Sequence, residues 1–227
     1  MKKLIALTLA GCACAIAPGA HIVDLKAVGA DGSGFTSNVI AALNWAIDNK
    51  AAWNLKVVNI SLGHGVMESE SDDPLCQAVQ QATDAGLLVT VAAGNLGKLP
   101  DGRPVARGIQ SPGHSRHALT VGAVNTKQTP ARSDDVMATF SSRGPTMNGL
   151  LKPELVAPGN RIRSSVPRGA YLPELLPERV TGVGVNTFME ASGTSMSAAV
   201  AAAAAAVVRE ARALTPAEMK VVLQLTS

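Results

Sequence analysis

The sequence is poor in cysteine, and its few cysteines form no recognisable framework. Only 3 of its 227 residues are cysteines, which is an odd number. Cys12 and Cys14 are too close in sequence for an ordinary disulfide. Cys76 stands apart from them, and no second Cys/His pair offers the spacing of a zinc site. We therefore expect neither a disulfide scaffold nor a metal site, and no cofactor is indicated.

The sequence also lacks any concentration of basic residues. Its net charge is +3 and its pI is near 8.9, but the basic residues are scattered along the chain. This distribution argues against a nucleic-acid-binding surface. Repeats, heptads and low-complexity linkers are absent too, while 47% of the residues are hydrophobic. A chain of this length and composition is large enough to form one sizeable core.

The first 16 residues have their own pattern. Two lysines precede an apolar run, which is the outline of a secretory signal, and Leu-Ala-Gly-Cys at residues 9–12 resembles a bacterial lipoprotein cleavage box. The pattern predicts a secreted or cell-envelope protein, with a cytoplasmic location as the alternative. We divide the chain into a signal-like or apolar helical segment, residues 1–14, and one domain, residues 15–227.

Strand-like and helix-like segments alternate in the domain. Apolar runs at residues 57–62 and 87–93 predict buried strands, and residues 75–84 between them predict a helix. Thr36 or Ser37 is positioned to cap an earlier helix. Short connections between such elements are typical of an α/β fold with a mostly parallel sheet that helices cover on both faces.

Three turns stand out along this pattern. Ser-Leu-Gly at residues 61–63 and Gly-Asn at residues 94–95 each follow a predicted strand. Ligands of parallel sheets bind beyond the carboxyl ends of the strands, so we expect both turns on one rim. The third turn, residues 29–34, is rich in glycine, but Gly-x-Gly without a third glycine or a following Lys-Ser/Thr is a weak indication of a phosphate loop.

Ser195 precedes a helix that must be buried. Residues 197–208 contain no polar side chain after their first serine, and the run is well short of the roughly 20 residues of a membrane span. Free backbone N–H groups and the positive end of the helix dipole gather at such a helix start. A hydroxyl placed there can attack a carbonyl carbon. For the serine alone, a helix N-cap is the simpler interpretation.

Four motifs together favour the chemical interpretation. They are Ser-Leu-Gly at residues 61–63, Ala-Ala-Gly-Asn at 92–95, Phe-Ser-Ser-Arg-Gly-Pro at 140–145 and Ser-Gly-Thr-Ser-Met at 192–196. In this order they resemble the motifs of the subtilisin-like serine peptidases, or subtilases. The resemblance extends from about residue 15 to the C-terminus. Asp-Asp-Pro-Leu-Cys-Gln-Ala at residues 72–78 is similar to the intracellular-type alkaline subtilases of bacilli.

The resemblance implies a role for each motif. Ser195 is the expected nucleophile of a peptide-bond hydrolysis through an acyl-enzyme, and Asn95 with the Ser195 N–H is expected to hold the oxyanion. The implied substrate is a polypeptide, and the family makes calcium a possible ligand. The residues expected to line the substrate are Gly32, Ser33, Gly34, Ser61, Leu62, Gly63, Ala93, Gly94 and Thr194.

The resemblance also gives a second interpretation of the N-terminus. In subtilases a buried helix that ends in Ala-Gly precedes a Val/Ile-Ala-Pro-Gly-Ala segment. The same order is present here at residues 10–11 and 16–20. Residues 1–14 are thus either a signal or the remainder of a family helix.

The sequence lacks the other two groups of a serine-peptidase triad. Subtilases carry them in the order Asp, His, Ser, and neither an Asp-Thr/Ser-Gly nor a His-Gly-Thr-His segment is present. Aligned on residues 10–11, the position of the catalytic histidine falls near Ile5. His21 and Asp24 are the nearest substitutes, but residues three apart on a strand point to opposite faces. We expect an incomplete triad and a chain that is inactive alone.

The first strands of the subtilase sheet are expected to be missing as well. An internal strand would then be unpaired, and the isolated chain would be expanded or oligomeric. Two functions follow. The chain is a serine endopeptidase domain whose Asp and His come from a complementing N-terminal segment. The alternative is a non-catalytic subtilase relative, in a lipid-anchored form, that binds extended peptides.

Overall fold

The computed structural model describes residues 2–6, 16–29, 31–166 and 169–226. Its strands and helices, in chain order, are β1 (Lys2–Ala6), β2 (Ala20–Asp24), α1 (Thr36–Trp53), β3 (Leu55–Ile60), α2 (Pro74–Asp84), β4 (Leu88–Ala92), β5 (Leu119–Asn125), β6 (Val136–Met137), β7 (Leu155–Pro158), β8 (Ile162–Ser165), α3 (Tyr171–Leu175), β9 (Val180–Thr181), β10 (Phe188–Ala191), α4 (Thr194–Ala211) and α5 (Pro216–Thr226).

Seven of the described strands form one sheet. Its order is β2-β1-β3-β4-β5-β6, and β7 also pairs with β5. All of these pairs are parallel except the pair of β5 with β6. Strands β3, β4 and β5 are buried almost throughout because helices cover both faces of the sheet. The predicted α/β fold is confirmed. Strands β8, β10 and β9 form a separate antiparallel sheet.

Strand β1 occupies a position that the resemblance left empty. It lies between β2 and β3 and pairs with both in parallel. The expectation of an unpaired internal strand is therefore wrong, and with it the reason to expect an expanded or oligomeric chain. Residues 2–6 are also not helical, unlike the helix expected within residues 1–14. The Leu-Ala-Gly-Cys box at residues 9–12 lies outside the described residues.

The helices divide the core into two layers. Helices α1 and α2 pack on one face of the sheet, and α4 and α5 pack on the other. Neighbouring residues of a strand point to opposite faces, so Val58 belongs to the first layer and Val57 to the second. Helix α4 contacts β3, β4 and β5 through small alanine side chains such as Ala198 and Ala202, which are fully buried. None of the described helices is long and apolar enough to cross a bilayer.

The two helices of the first layer begin differently. Helix α1 starts at Thr36 after Phe35, and no side chain caps it, so the predicted cap by Thr36 or Ser37 is wrong. Helix α2 is capped by Asp73, whose Oδ1 accepts hydrogen bonds from the backbone N–H groups of Leu75 at 2.8 Å and Cys76 at 3.3 Å. This cap fixes the start of α2 close to the sheet.

A buried lysine, Lys152, connects the loop before β5 with the start of β7. The Lys152 side chain is 2% exposed. Its ammonium donates to the Ser115 carbonyl at 2.7 Å, the Ala118 carbonyl at 3.1 Å, the Thr120 hydroxyl at 3.0 Å and the Glu154 carboxylate. Burial lowers the pKa of Lys152 to about 8, so the side chain still carries its charge at neutral pH.

We expect Lys152→Met to lower the free energy of unfolding by about 3 kcal/mol. The substitution leaves the Ser115 carbonyl and the Thr120 hydroxyl without this donor, while Lys220 still pairs with Glu154. Removing one partner of a buried ion pair is strongly destabilising. Lys26→Met at an exposed position is the matched control and should change stability by less than about 0.5 kcal/mol. Urea denaturation followed by circular dichroism measures both, and equal midpoints for the two variants would contradict this account of Lys152.

Candidate active site

Ser195 lies in the first turn of helix α4. The turn before it is fixed by Gly193, whose N–H donates to the Gly159 carbonyl at 2.8 Å. Ser195 is half-buried, while Thr194 beside it is fully buried. The N–H groups of a first helical turn have no partner within the helix, so the Ser195 N–H is available to an external acceptor. The helix start therefore combines a hydroxyl with a backbone donor.

Two reciprocal hydrogen bonds attach Ser195 to the end of strand β3. The Ser195 hydroxyl donates to the Ser61 carbonyl at 3.1 Å, and the Ser61 hydroxyl donates to the Ser195 carbonyl at 2.9 Å. Asn59, which is fully buried, donates from Nδ2 to the Ser61 hydroxyl at 2.8 Å. These contacts join residues that are 134 positions apart in the sequence. The predicted common rim is thus formed around Ser195.

Asn95 is held by the residue that precedes the serine. Its Oδ1 accepts the Thr194 N–H at 3.0 Å and the Thr194 hydroxyl at 3.1 Å, and the Thr194 hydroxyl accepts the Gly94 N–H at 3.1 Å. Because Oδ1 is fixed in this way, Nδ2 is left as the free end of the amide. A β-carbon added to Gly193 would lie 3.5 Å from that Nδ2. The amide donor therefore lies beside the serine turn, as an oxyanion donor must.

The predicted substrate edges are only partly brought to Ser195. Ser61 contacts it directly. Beyond Leu62, Gly63 approaches the Ser111 backbone so closely that a β-carbon there would lie 2.5 Å from the Ser111 carbonyl oxygen. The Ala93 N–H donates to the Val121 carbonyl at 3.0 Å, so Ala93 is already part of the sheet framework.

The turn at residues 32–34 closes on itself. Ser33 donates from its N–H to Asp31 Oδ1 at 3.0 Å and from its hydroxyl to the same oxygen at 2.8 Å. Gly32 has a φ of 79°, which favours glycine. No hydrogen bond within the described residues links Gly32, Ser33 or Gly34 to Ser195. Their role in aligning a substrate stays a prediction.

Comparison with known proteins decides the family. The subtilase family matches residues 5–227. The chain belongs to the subtilases. Serine protease AprX of Bacillus subtilis (strain 168) is 36% identical over 214 residues, which cover 92% of this chain and 46% of AprX. Pyrolysin of Pyrococcus furiosus is 33% identical over 173 residues, which cover 67% of this chain and 12% of pyrolysin. The chain thus spans less than half of the length of each of these two relatives.

Solved structures give the same assignment. A cold adapted subtilisin-like serine proteinase has a TM-score of 0.67 at 28% identity, with 92% of this chain and 61% of that chain covered. The S41 psychrophilic protease has a TM-score of 0.68 at 28% identity, with 92% and 60% covered. The predicted family is confirmed. The narrower resemblance to intracellular-type alkaline subtilases stays a prediction.

Within the described part of this subtilase, no base is hydrogen-bonded to the Ser195 hydroxyl. The hydroxyl hydrogen points to the Ser61 carbonyl, which is neutral and cannot take up a proton at ordinary pH. His64 lies in a loop with Nδ1 2.8 Å from the Gly65 carbonyl oxygen, as expected for a histidine outside the catalytic machinery. His21 lies on β2, the outermost strand of the sheet.

The structure brings together a second set of reactive side chains that the sequence did not reveal. Cys76, His114 and Asp73 are all buried, and their ligand atoms lie within 4.8 Å of one another. Burial raises the pKa of the Cys76 thiol, and the nearby Asp73 charge raises it further. Burial lowers the pKa of His114 and favours the neutral ring. A buried thiol of this kind does not act as a nucleophile, so the cluster is no substitute for the serine triad.

Calcium, which the family resemblance implied, does not suit this cluster. Calcium takes about six to eight oxygen ligands, whereas the cluster offers one sulfur, one nitrogen and one carboxylate. Among the described residues, this is the one group of three His, Cys, Asp or Glu side chains that lie close enough together to share an ion. Cys76 and His114 are 38 residues apart, so no local spacing could have indicated it.

Helix α4 contains one buried hydroxyl without a partner. Ser197 is fully buried, and its Oγ makes no hydrogen bond within the described part of the chain. The hydroxyl fits only because Gly159 faces it: a β-carbon on Gly159 would collide with Ser197 Oγ. An unpaired buried hydroxyl costs about 1–3 kcal/mol.

We expect Ser197→Ala to raise the free energy of unfolding by about 1 kcal/mol, since it removes an unsatisfied polar atom and leaves the packing of the β-carbon unchanged. Ala198→Ser at the next buried position should have the opposite sign, because it places a hydroxyl in an apolar layer. Chemical denaturation of both variants checks the pair. A loss of stability in Ser197→Ala would show that the hydroxyl has a partner after all.

Proposed function

We propose that this chain is the nucleophile-bearing portion of a serine endopeptidase that hydrolyses peptide bonds through a Ser195 acyl-enzyme. The observation that carries the proposal is the fixed Asn95 amide. Thr194 holds its oxygen, and its nitrogen is left free beside the turn that presents Ser195. A core helix has no structural need for such a donor next to a serine. Membership of the subtilase family supports the same chemistry.

The proposed reaction starts with attack of the Ser195 oxygen on the carbonyl carbon of a polypeptide. Negative charge then develops on the carbonyl oxygen. Donation from Asn95 Nδ2 and from the Ser195 N–H stabilises that charge in the transition state more than in the ground state. The helix start adds the positive end of its dipole. Collapse of the tetrahedral intermediate breaks the peptide C–N bond, and the amine leaves with the proton that the serine hydroxyl gave up to the base. Water then hydrolyses the acyl-enzyme, which releases the carboxylic acid product and regenerates Ser195.

The proposal assigns proton transfer to groups outside the described residues. A serine at its ordinary pKa is weakly nucleophilic, and it needs an adjacent base that a carboxylate orients. We infer that an Asp- and His-bearing segment complements this chain in the active enzyme and that the chain alone does not turn over substrate. A second candidate function rests on the Ser195 hydroxyl, whose hydrogen bond goes to the Ser61 carbonyl. Without a base, the same rim would bind extended peptides and release them unchanged.

We expect the purified chain to show no labelling of Ser195 by a fluorophosphonate probe and no turnover of peptide esters. Binding and the oxyanion donors alone retain on the order of a thousandfold over water, which is too slow for proteolysis. Mass spectrometry of the labelled protein, with Ser195→Ala as the blank, is the measurement. Robust labelling of the unaltered chain would show that a base is present within it.

We expect activity when residues 1–14 are replaced by a subtilase segment that carries the Asp and His motifs. In that graft, Asn95→Ala should cost roughly 3 kcal/mol in kcat/KM, because the developing charge loses one aimed donor. Asn148→Ala, at an exposed turn, is the matched control and should leave kcat/KM unchanged. A graft that folds and binds peptide but never labels at Ser195 would favour the peptide-binding alternative.

We propose that the protein is exported and anchored by lipid at Cys12, on the basis of Leu-Ala-Gly-Cys at residues 9–12. Expression in a bacterium should then yield a membrane-associated product cleaved before Cys12 and acylated there. Such cleavage removes strand β1, so its position between β2 and β3 would be open to the complementing segment. Cys12→Ser should abolish both cleavage and acylation, whereas Cys14→Ser should not. An intact N-terminus in the soluble fraction, determined by mass spectrometry, would refute the anchor.

A further inference from the structure

We propose that Asp73, Cys76 and His114 form a binding site for a single Zn²⁺ ion, distinct from the rim around Ser195. The three side chains come from the start of helix α2 and from the loop before β5. They supply a carboxylate oxygen, a sulfur and an imidazole nitrogen, which are the three ligand types that zinc accepts in proteins. The site is independent of the proposed peptidase activity.

The distances within the cluster are close to those of a zinc site. Cys76 Sγ lies 3.6 Å from His114 Nε2 and 3.7 Å from Nδ1. Tetrahedral zinc with Zn–S of about 2.3 Å and Zn–N of about 2.0–2.1 Å separates sulfur and nitrogen by about 3.6 Å. Asp73 Oδ2 lies 3.7 Å from His114 Nε2, a few tenths of an ångström longer than such a site needs. The sulfur is nearly equidistant from both nitrogens, so the ring must turn to aim one lone pair at the ion.

The surroundings of His114 also suit a metal ligand. The side chain is 3% exposed, and the partners of its ring nitrogens are the Cys76 sulfur at 3.6–3.7 Å and the Asp73 carboxylate at 3.7 Å. The contacts with sulfur have the length of weak hydrogen bonds to a thiol, and the contact with the Asp73 carboxylate is longer than an ordinary hydrogen bond between nitrogen and oxygen. The buried ring therefore has partners, but they are weak ones. A zinc ion between the three side chains would give the ring a stronger partner.

The helix cap leaves one oxygen of Asp73 for an ion. Oδ1 is used by the N–H groups of Leu75 and Cys76 at the start of α2. Oδ2 accepts the Ser111 hydroxyl at 2.6 Å, which orients the carboxylate without using both of its lone pairs. This partner would act as the outer shell that zinc ligands commonly have. The carboxylate is therefore preoriented for one metal bond.

A neighbouring cavity gives access to the cluster. Its volume is about 280 Å³, and its lining includes Cys76 together with Glu70, Arg116 and His117. The cavity is large enough for water, so a water molecule would complete a fourth position next to the sulfur. On binding, a Zn–S bond forms and the Cys76 S–H bond breaks, and its proton passes to solvent. His114 binds as the neutral ring and Asp73 as the carboxylate.

The test uses the full chain with Cys12→Ser and Cys14→Ser, which leaves Cys76 as its single thiol. After treatment with a chelator, the protein is titrated with Co²⁺ and the thiolate-to-cobalt charge-transfer band is recorded. Zn²⁺ is then added as competitor. We expect one cobalt ion per chain, a charge-transfer band that Zn²⁺ removes, and a higher Tm with Zn²⁺ than without it. Absence of the band in this folded background protein overturns the proposal and leaves a thiol packed against an imidazole.

Two matched substitutions locate the site. Asp73→Asn keeps a residue that caps helices well, so the fold is retained while one ligand is weakened. We expect it to lower the affinity for Zn²⁺ by at least about tenfold, the loss seen even for outer-shell partners of a metal. Asp72→Asn, at the exposed neighbouring carboxylate, should leave the affinity unchanged. Equal effects of the two substitutions would also overturn the assignment, because the ion would then lie elsewhere.

Discussion

The reciprocal hydrogen bonds between Ser61 and Ser195 are the contact on which the candidate active site depends. They attach the start of helix α4 to the end of strand β3, and Asn59 extends the network into the buried sheet. A hydroxyl on a single helix start would be free to rotate. Here its orientation is fixed by a strand that is itself buried on both faces. The rigid sheet therefore holds the Ser195 hydroxyl in a defined orientation.

The many alanines of α4 also help to fix the position of Ser195. Small side chains allow a helix to approach a sheet closely, and eight residues of α4 are buried against it. Close packing leaves little room for adjustment, so adding or removing even one methylene group disturbs the packing. The collision that a β-carbon on Gly159 would cause is an instance of this. Because the packed part of the helix resists shifting, the helix start holds Ser195 in a single position.

Much of the fold and part of the site could be predicted from the sequence. The strands β3 and β4 and helix α2 were predicted within one or two residues, because continuous apolar runs and turn residues mark buried parallel strands. The strand ends predicted that residues 61–63 and 94–95 lie on one rim, but the direct hydrogen bonds of Ser61 with Ser195 were not predicted. Local patterns could not show which strand fills the position beside β3. The apolar run after Lys2 and Lys3 fits a signal, a helix or a strand equally well, and the tertiary pairing decides.

The cluster of Cys76 and His114 escaped the sequence analysis for a different reason. Metal frameworks are recognised by short, regular spacing between ligands, whereas these two residues meet only because α2 and the loop before β5 pack together. The predicted cap of α1 by Thr36 or Ser37 is wrong because the helix begins at Thr36, directly after Phe35, and no side chain caps it. For the cluster, tertiary packing and not the nearest neighbours in sequence determines the outcome.

Strand β1 pairs with β2 and β3 from within the same chain. Such pairing is intramolecular, and tethered segments act at effective concentrations on the order of millimolar when the connection is short. A strand that arrives from another chain acts only at its actual concentration in solution. It must therefore pair much more strongly than β1 to take the same place, or be joined covalently to the chain. While β1 remains part of the chain, the sheet therefore disfavours partners that pair weakly.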